Sequence, residues 1–465
     1  EAEGMWHAYV LYCIKERACD LDRINAFLNR FLSHERKLRW MRLDNAAKIY
    51  PAAKRRKWNN FFRLSATLCD EVDKTVLRNA MDVTMRRFPS IAVRLCRGAF
   101  WYYLEELSSA PEITDEKSWP LAHTPFESIN ECALRVIVYK NRIAVEFYHA
   151  LTDGTGGMVF LKSLLAEYIE QKYGVEIPNE CGVLDRLTQP QEEELEDSFS
   201  KNAGSVSVSR NASTAFKIHY TPERDDFRHL TTFILDSNAA LAAAKSCGVS
   251  LTVYLTSAML LALQRIQDEQ TPDKRRQKPI RVVVPVNLRR LFPSRTLRNF
   301  VHVIMPEIDP RMGDYEFSEI LTSVKHQLGL LVTKKNLCAM FTPNVNAERS
   351  PLLRVMPLFL KNIAMKLVYD TVGERTNCLN LSNLGDIKVP DAMRRYVTRF
   401  DFILGVQATK PNNCGVLSYN GKLYMNFIRN TVEPVLEFQF YQVLRELGLH
   451  VKVESNGAGN ISDSN

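Results

Sequence analysis

The residues best suited to chemistry sit in one short stretch, Phe147-Tyr148-His149-Ala150-Leu151-Thr152-Asp153-Gly154-Thr155-Gly156-Gly157. His149 ends the apolar run Arg142–Tyr148 and precedes a glycine-rich turn, so its imidazole stands at a strand mouth, where it can act as a base. Asp153 lies four residues on, beside Gly154, where a carboxylate can brace the turn against a buried Arg or cap the following helix. Taken alone, the same spacing also fits a satisfied loop histidine and an N-cap aspartate. The chain has no Gly-x-Ser-x-Gly to support a serine nucleophile. Its Cys, His and carboxylates show no zinc or calcium spacing, so no metal is expected.

The elements that must position this stretch follow from hydrophobic periodicity. Cys132–Tyr139 and Arg142–Tyr148 are β-rich runs separated by Lys140-Asn141, which predicts a hairpin, and a helix is expected from about Gly157 to Tyr173. Upstream, Phe62–Leu68 alternates like a strand, and Glu71–Phe88 carries a helical apolar face that Pro89 ends. Residues 1–37 place Leu21, Ile24, Phe27, Leu28 and Phe31 at helical spacing, as an amphipathic extension would. The acidic and then Ser-, Asn- and Gly-containing segment 179–228 suits a crossover linker between units 38–178 and 229–455, with a tail at 456–465. In the second unit, strands are expected at Ile280–Val286, Val301–Met305, Cys378–Leu381 and Phe400–Val406, and long helices at Tyr315–Val332 and Pro351–Val368. This irregular mixture predicts an α+β protein of two lobes.

Composition narrows the function classes. With 465 residues, 46% hydrophobic and 25% charged, the chain is neither disordered nor a small disulfide scaffold. The net charge of +8, from 61 basic and 53 acidic residues, suits an anionic small ligand and gives little reason to expect nucleic acid. Ten cysteines without a C-x-x-C pair fit reduced thiols, and the chain does not open with a signal-peptide pattern, so a cytoplasmic location is expected. No stretch of ~18 apolar residues predicts a transmembrane helix, which leaves peripheral membrane contact open.

In this context His149-x-x-x-Asp153-Gly154, after a hairpin and before a helix, resembles the acyl-CoA-dependent acyltransferase superfamily. That superfamily includes chloramphenicol acetyltransferase, the BAHD acyltransferases, condensation domains and the alcohol acetyltransferases. Pro285-Val286-Asn287-Leu288-Arg289 followed by Arg298-Asn299-Phe300 resembles its V-[DN]-x-R … G-N segment. Asp401-Phe402-Ile403-Leu404-Gly405 is similar to its Asp-Phe-Gly-Trp-Gly signature, departing at Ile403 and Leu404. Asn380-Leu381-Ser382-Asn383 and the opening Leu43-Asp44-Asn45-Ala46-Ala47-Lys48-Ile49-Tyr50-Pro51 resemble the alcohol acetyltransferase branch.

The resemblance implies a pseudo-dimer of two chloramphenicol-acetyltransferase-like lobes, mixed sheets with flanking helices, around a tunnel with His149 at its middle. It implies His149 and Asp153 as catalytic residues, Arg289 as the structural partner of Asp153, and Gly154, Asp401 and Gly405 as supports. Ser382, Asn383 and Asn299 are candidate oxyanion or acceptor contacts. Acyl-CoA would be a co-substrate rather than a resident cofactor, a small-molecule alcohol the acceptor, and the protein a monomer. Two alternatives stand beside this O-acyltransferase reading: a condensation-type enzyme fed by a carrier-protein thioester, and a non-catalytic member that binds an acyl ligand or a protein. Condensation domains usually carry a second His before the catalytic one, and Tyr148 holds that position here.

Overall fold

The computed structural model describes residues 38–53, 60–123, 125–208, 213–224, 226–407 and 410–456. The extension 1–37, the basic run Lys54-Arg55-Arg56-Lys57 and the tail beyond residue 456 lie outside the described residues.

The expected hairpin forms the centre of a five-stranded sheet ordered Val397–Ile403, Phe61–Leu68, Arg142–Tyr148, Leu134–Tyr139 and Ile113–Asp115. Its pairs are antiparallel except the last. Phe61–Leu68 and Arg142–Tyr148 are buried almost throughout because both faces are covered. On one face the helix Gly154–Tyr173 packs against Phe61–Leu68 and against the helix Lys74–Arg87. On the other, Arg63 meets Glu116 at 2.5 Å and Glu146 at 3.3 Å, while Arg135 also reaches Glu146, so buried charges there are paired.

A larger mixed sheet runs Val301–Ile304, Ile280–Asn287, Leu379–Asp386, Asn412–Tyr419, Lys422–Arg429, His229–Asp236 and Lys452–Ser455, with Glu307–Ile308 also paired to Ile280–Asn287. Leu379–Asp386 is parallel to both its neighbours. The helices Leu251–Gln270, Phe317–Leu331 and Val435–Glu446 pack together on this half. Trp40–Arg42, Tyr102–Glu106 and Val93–Arg97 make a small third sheet. The protein is therefore an α+β fold of mixed sheets with flanking helices.

Some elements depart from the sequence reading. Val397–Ile403 comes from the C-terminal half but pairs with Phe61–Leu68 of the first sheet. The helix expected over Pro351–Val368 is two helices, Pro351–Val355 and Leu358–Val368, because Pro357 forces Met356 into extended geometry. A further helix, Lys334–Arg349, was hidden by Pro343 inside it.

Candidate active site

His149 leaves the strand Arg142–Tyr148 with its backbone N–H donating to the Asn60 carbonyl at 2.9 Å. Its ring stacks on Tyr50, with centroids 4.6 Å apart and planes 16° apart, and meets the edge of Phe62 at 5.1 Å. Burial in these rings disfavours the imidazolium and lowers the His149 pKa from 6.5, against opposing contributions from hydrogen bonding and from Asp153. Burial thus favours the neutral ring, the form able to accept a proton.

Which nitrogen carries the proton follows from its neighbour. Asn299 Nδ2 donates to the His149 carbonyl at 3.0 Å and to Asp44 Oδ2 at 3.3 Å, so both partners of its amino group are acceptors. That orientation turns Asn299 Oδ1 to His149 Nδ1 at 3.3 Å, where only an N–H on Nδ1 can bond it. Nε2 is left without the proton. Asp44 is fully buried; its carboxylate accepts from Ala47 N–H at 2.7 Å and lies 3.6 Å from Arg298 Nε. Burial pushes its carboxyl up to about 6, even with Arg298 beside it.

Asp153 caps the helix Gly154–Tyr173: its Oδ1 accepts from Thr155 and Gly156 N–H at 3.1 and 3.0 Å. Its Oδ2 accepts from Arg289 Nη1 at 2.7 Å and from Phe300 N–H at 2.9 Å. Arg289 also donates to the Thr296 carbonyl at 2.9 Å and the Arg298 carbonyl at 2.5 Å. One carboxylate and one guanidinium therefore pin the segment 296–300, and with it Asn299, against the start of the helix. The approach is close enough that a Cβ at Gly156 would lie 2.1 Å from the Leu297 carbonyl oxygen, so only glycine fits there.

The structure brings Gly154 to this network, at the start of the capped helix, and gives Asn383, Asp401 and Gly405 neighbours elsewhere. Gly154 accommodates Leu384, whose Cδ2 would lie 2.7 Å from an added Cβ. Ser382 is half-buried on the strand Leu379–Asp386, and the next residue, Asn383, donates to Thr252 Oγ1 at 3.2 Å and accepts from Gly385 N–H at 2.8 Å. Asp401 is buried and forms an ion pair with Arg399 at 2.8 Å. Gly405 passes so near Phe61 that a Cβ would meet its carbonyl oxygen at 2.5 Å. Asp44 and Tyr50 entered the sequence reading only as parts of a motif, with no role; their shared segment was the signal available. Among the described residues no group of three His, Cys, Asp or Glu is placed to hold a metal ion.

No protein-family model matches the sequence, and no curated protein matches it. Solved structures do share the fold. The first condensation domain of the calcium-dependent antibiotic synthetase, in complex with substrate analogue 2a, superposes with a TM-score of 0.57 at 12% identity, covering 88% of this chain and 96% of that one. The TRI3 trichothecene 15-O-acetyltransferase from Fusarium sporotrichioides gives 0.54 at 12%, covering 88% and 94%. The starter condensation domain of rhizomide synthetase RzmA, solved with C8-CoA and Leu-SNAC, gives 0.54 at 11%, covering 88% and 93%. The chain thus shares the fold of these condensation domains and of this acetyltransferase.

Proposed function

We propose that this protein is an acyl-CoA-dependent O-acyltransferase that moves an acetyl or short acyl group to a hydroxyl, with His149 as general base. The observation that carries the reading is the imidazole itself: neutral, ring-packed, and held by Asn299 with Nε2 free of a proton. A thioester is already activated, so one base suffices to start transfer. Nε2 takes the acceptor O–H proton as the oxygen attacks the thioester carbonyl. The tetrahedral intermediate then collapses, the C–S bond breaks, and the proton passes from Nε2 to the leaving sulfur. Two neighbours support the choice of chemistry: TRI3 is a trichothecene 15-O-acetyltransferase, and the RzmA starter condensation domain was solved with C8-CoA. On this reading the donor and acceptor reach His149 from opposite sides of a tunnel between the halves of the molecule.

The test is a screen of acyl-CoAs against alcohols, reading released CoA thiol, together with calorimetric titration of CoA. Saturable CoA binding that weakens with salt, and thiol release dependent on the alcohol, are expected. No CoA binding at low salt, combined with transfer from a phosphopantetheine-loaded carrier protein, would replace this reading with the condensation-type one. Tyr148, where condensation domains usually have a second His, favours CoA as donor.

The role of Asn299 on this reading is to position His149, with Asp44 holding the amide. His149 titrates below 6.5 and Asp44 near 6, so the acidic limb of kcat/KM is expected to have its midpoint below pH 6.5. In ¹⁵N-histidine-labelled protein at neutral pH, His149 should show a protonated Nδ1 and a bare Nε2. Asn299→Ala should admit the other tautomer and lower kcat about tenfold with little change in KM. An unchanged tautomer in the variant would remove Asn299 from this role.

A further inference from the structure

The helix Leu358–Val368 is amphipathic the wrong way round for a helix of a water-soluble surface. Its inward residues include Lys361, only 2% exposed, whose Nζ donates to the Phe100 carbonyl at 2.9 Å and lies 3.6 Å from the centre of the Trp101 ring. Asn362 donates to Tyr102 Oη at 3.1 Å, and the Leu358 N–H donates to the Ala99 carbonyl at 3.0 Å. Polar groups thus clamp the helix to the segment 99–102 beside the buried Leu358, and most of its other apolar residues face water. Phe359 is 56% exposed and Ile363 61%, and on the preceding turn of helix Leu352 and Val355 are 71% and 68% exposed. Phe100, whose ring lies 5.9 Å from the Lys361 ammonium, is also exposed. Large apolar residues exposed together along one short segment mark an interaction surface.

The charge around the patch selects what it meets. From 349 to 369 the chain has Arg349, Arg354, Lys361 and Lys366 and no acidic residue, and of these Arg349, Arg354 and Lys366 are exposed. Glu348 and Asp370 bound this segment, both half-buried and Glu348 paired with Lys48, so its exposed charges are basic and the apolar face complements an interface of acyl chains and anionic headgroups. A helix of 11 residues is ~16 Å long, too short to cross ~30 Å of hydrocarbon, so it lies in the interface. No single described helix is long and apolar enough to cross a membrane. We infer that the face formed by Leu352, Val355, Phe359 and Ile363 docks on an anionic lipid bilayer. The same helix packs against Ile49–Ala52, which carries Tyr50, the residue stacked on His149, so the docked face lies one short helix from the site.

The inference does not depend on the proposed reaction, because it is read without turnover. Full-length protein is floated with vesicles of phosphatidylcholine alone or phosphatidylcholine with phosphatidylserine. Binding is expected to the mixed vesicles and to weaken with salt. Phe359→Glu/Ile363→Glu should lower the bound fraction by about tenfold or more. Arg354→Glu/Lys366→Glu should do the same for mixed vesicles only. Both variants should keep the wild-type melting temperature, since all four side chains are exposed. Three results would overturn the inference. One is vesicle binding that is absent or unaffected by the variants. A second is a fall in melting temperature for Phe359→Glu/Ile363→Glu without vesicle binding, which would assign the face to residues 1–37 of this chain. The third is a light-scattering mass that halves in that variant, which would assign it to a second copy.

Discussion

His149→Ala is expected to lower kcat by about a hundredfold or more, the scale of a lost general base, with the fold intact. The structure explains why activity and stability should separate. The Asn299 amide bonds the His149 backbone carbonyl at 3.0 Å, and the His149 N–H bonds the Asn60 carbonyl at 2.9 Å; an alanine keeps both. What disappears is the ring between Tyr50 and Phe62 and the nitrogen that Asn299 Oδ1 orients. The variant should also lose the acidic limb of the pH profile, because the residual rate no longer tracks imidazole protonation. Steady-state kinetics across pH, with thermal unfolding as the control, would check this. Near-normal turnover in the variant would remove His149 from the mechanism.

Local signals carried much of this site. Strong alternation with a two-residue turn at Lys140-Asn141 made the hairpin legible, and the glycines after Asp153 marked the helix start, placed three residues late because the cap lies at Asp153 itself. Non-local pairing was not legible. Val397–Ile403 reads as a strand anywhere in the chain, and nothing in its own residues says that it joins Phe61–Leu68, more than three hundred positions earlier. Asp44 illustrates the same limit within the site. It lies 105 positions before His149 and 255 before Asn299, and it becomes part of the network only when the segment 296–300 folds over the helix start. Helix Lys334–Arg349 was missed for a local reason, since Pro343 weakens a helical reading that tertiary packing of Leu337, Phe341 and Val345 overrides.

The segment 296–300 is held by Asp153 and Arg289, and breaking that pair should have the largest effect on stability. Asp153 is 3% and Arg289 12% exposed, with 2.7 Å between Oδ2 and Nη1, so either partner left alone is a buried, unpaired charge. Removing one side of such a pair costs ~3–5 kcal/mol. Asp153→Ala also removes the cap on Thr155 and Gly156 N–H, about 1 kcal/mol more. Arg289→Ala also frees the Thr296 and Arg298 carbonyls. These side costs belong to each residue separately and should add, whereas the stranded-charge cost arises in each single variant and disappears in the double, where neither charge remains. The double variant should therefore be destabilised by less than the sum of the singles, and denaturant unfolding of all four proteins measures the difference. Both singles should lose activity as well, because Asn299 rides on the segment they release and the His149 tautomer rides on Asn299. Additive losses across the cycle would show that the two side chains act independently, and the fastening of 296–300 would then have to come from the Thr152 hydroxyl bond to the Leu297 carbonyl and the Arg298 contacts with Asp44 and the Arg42 carbonyl.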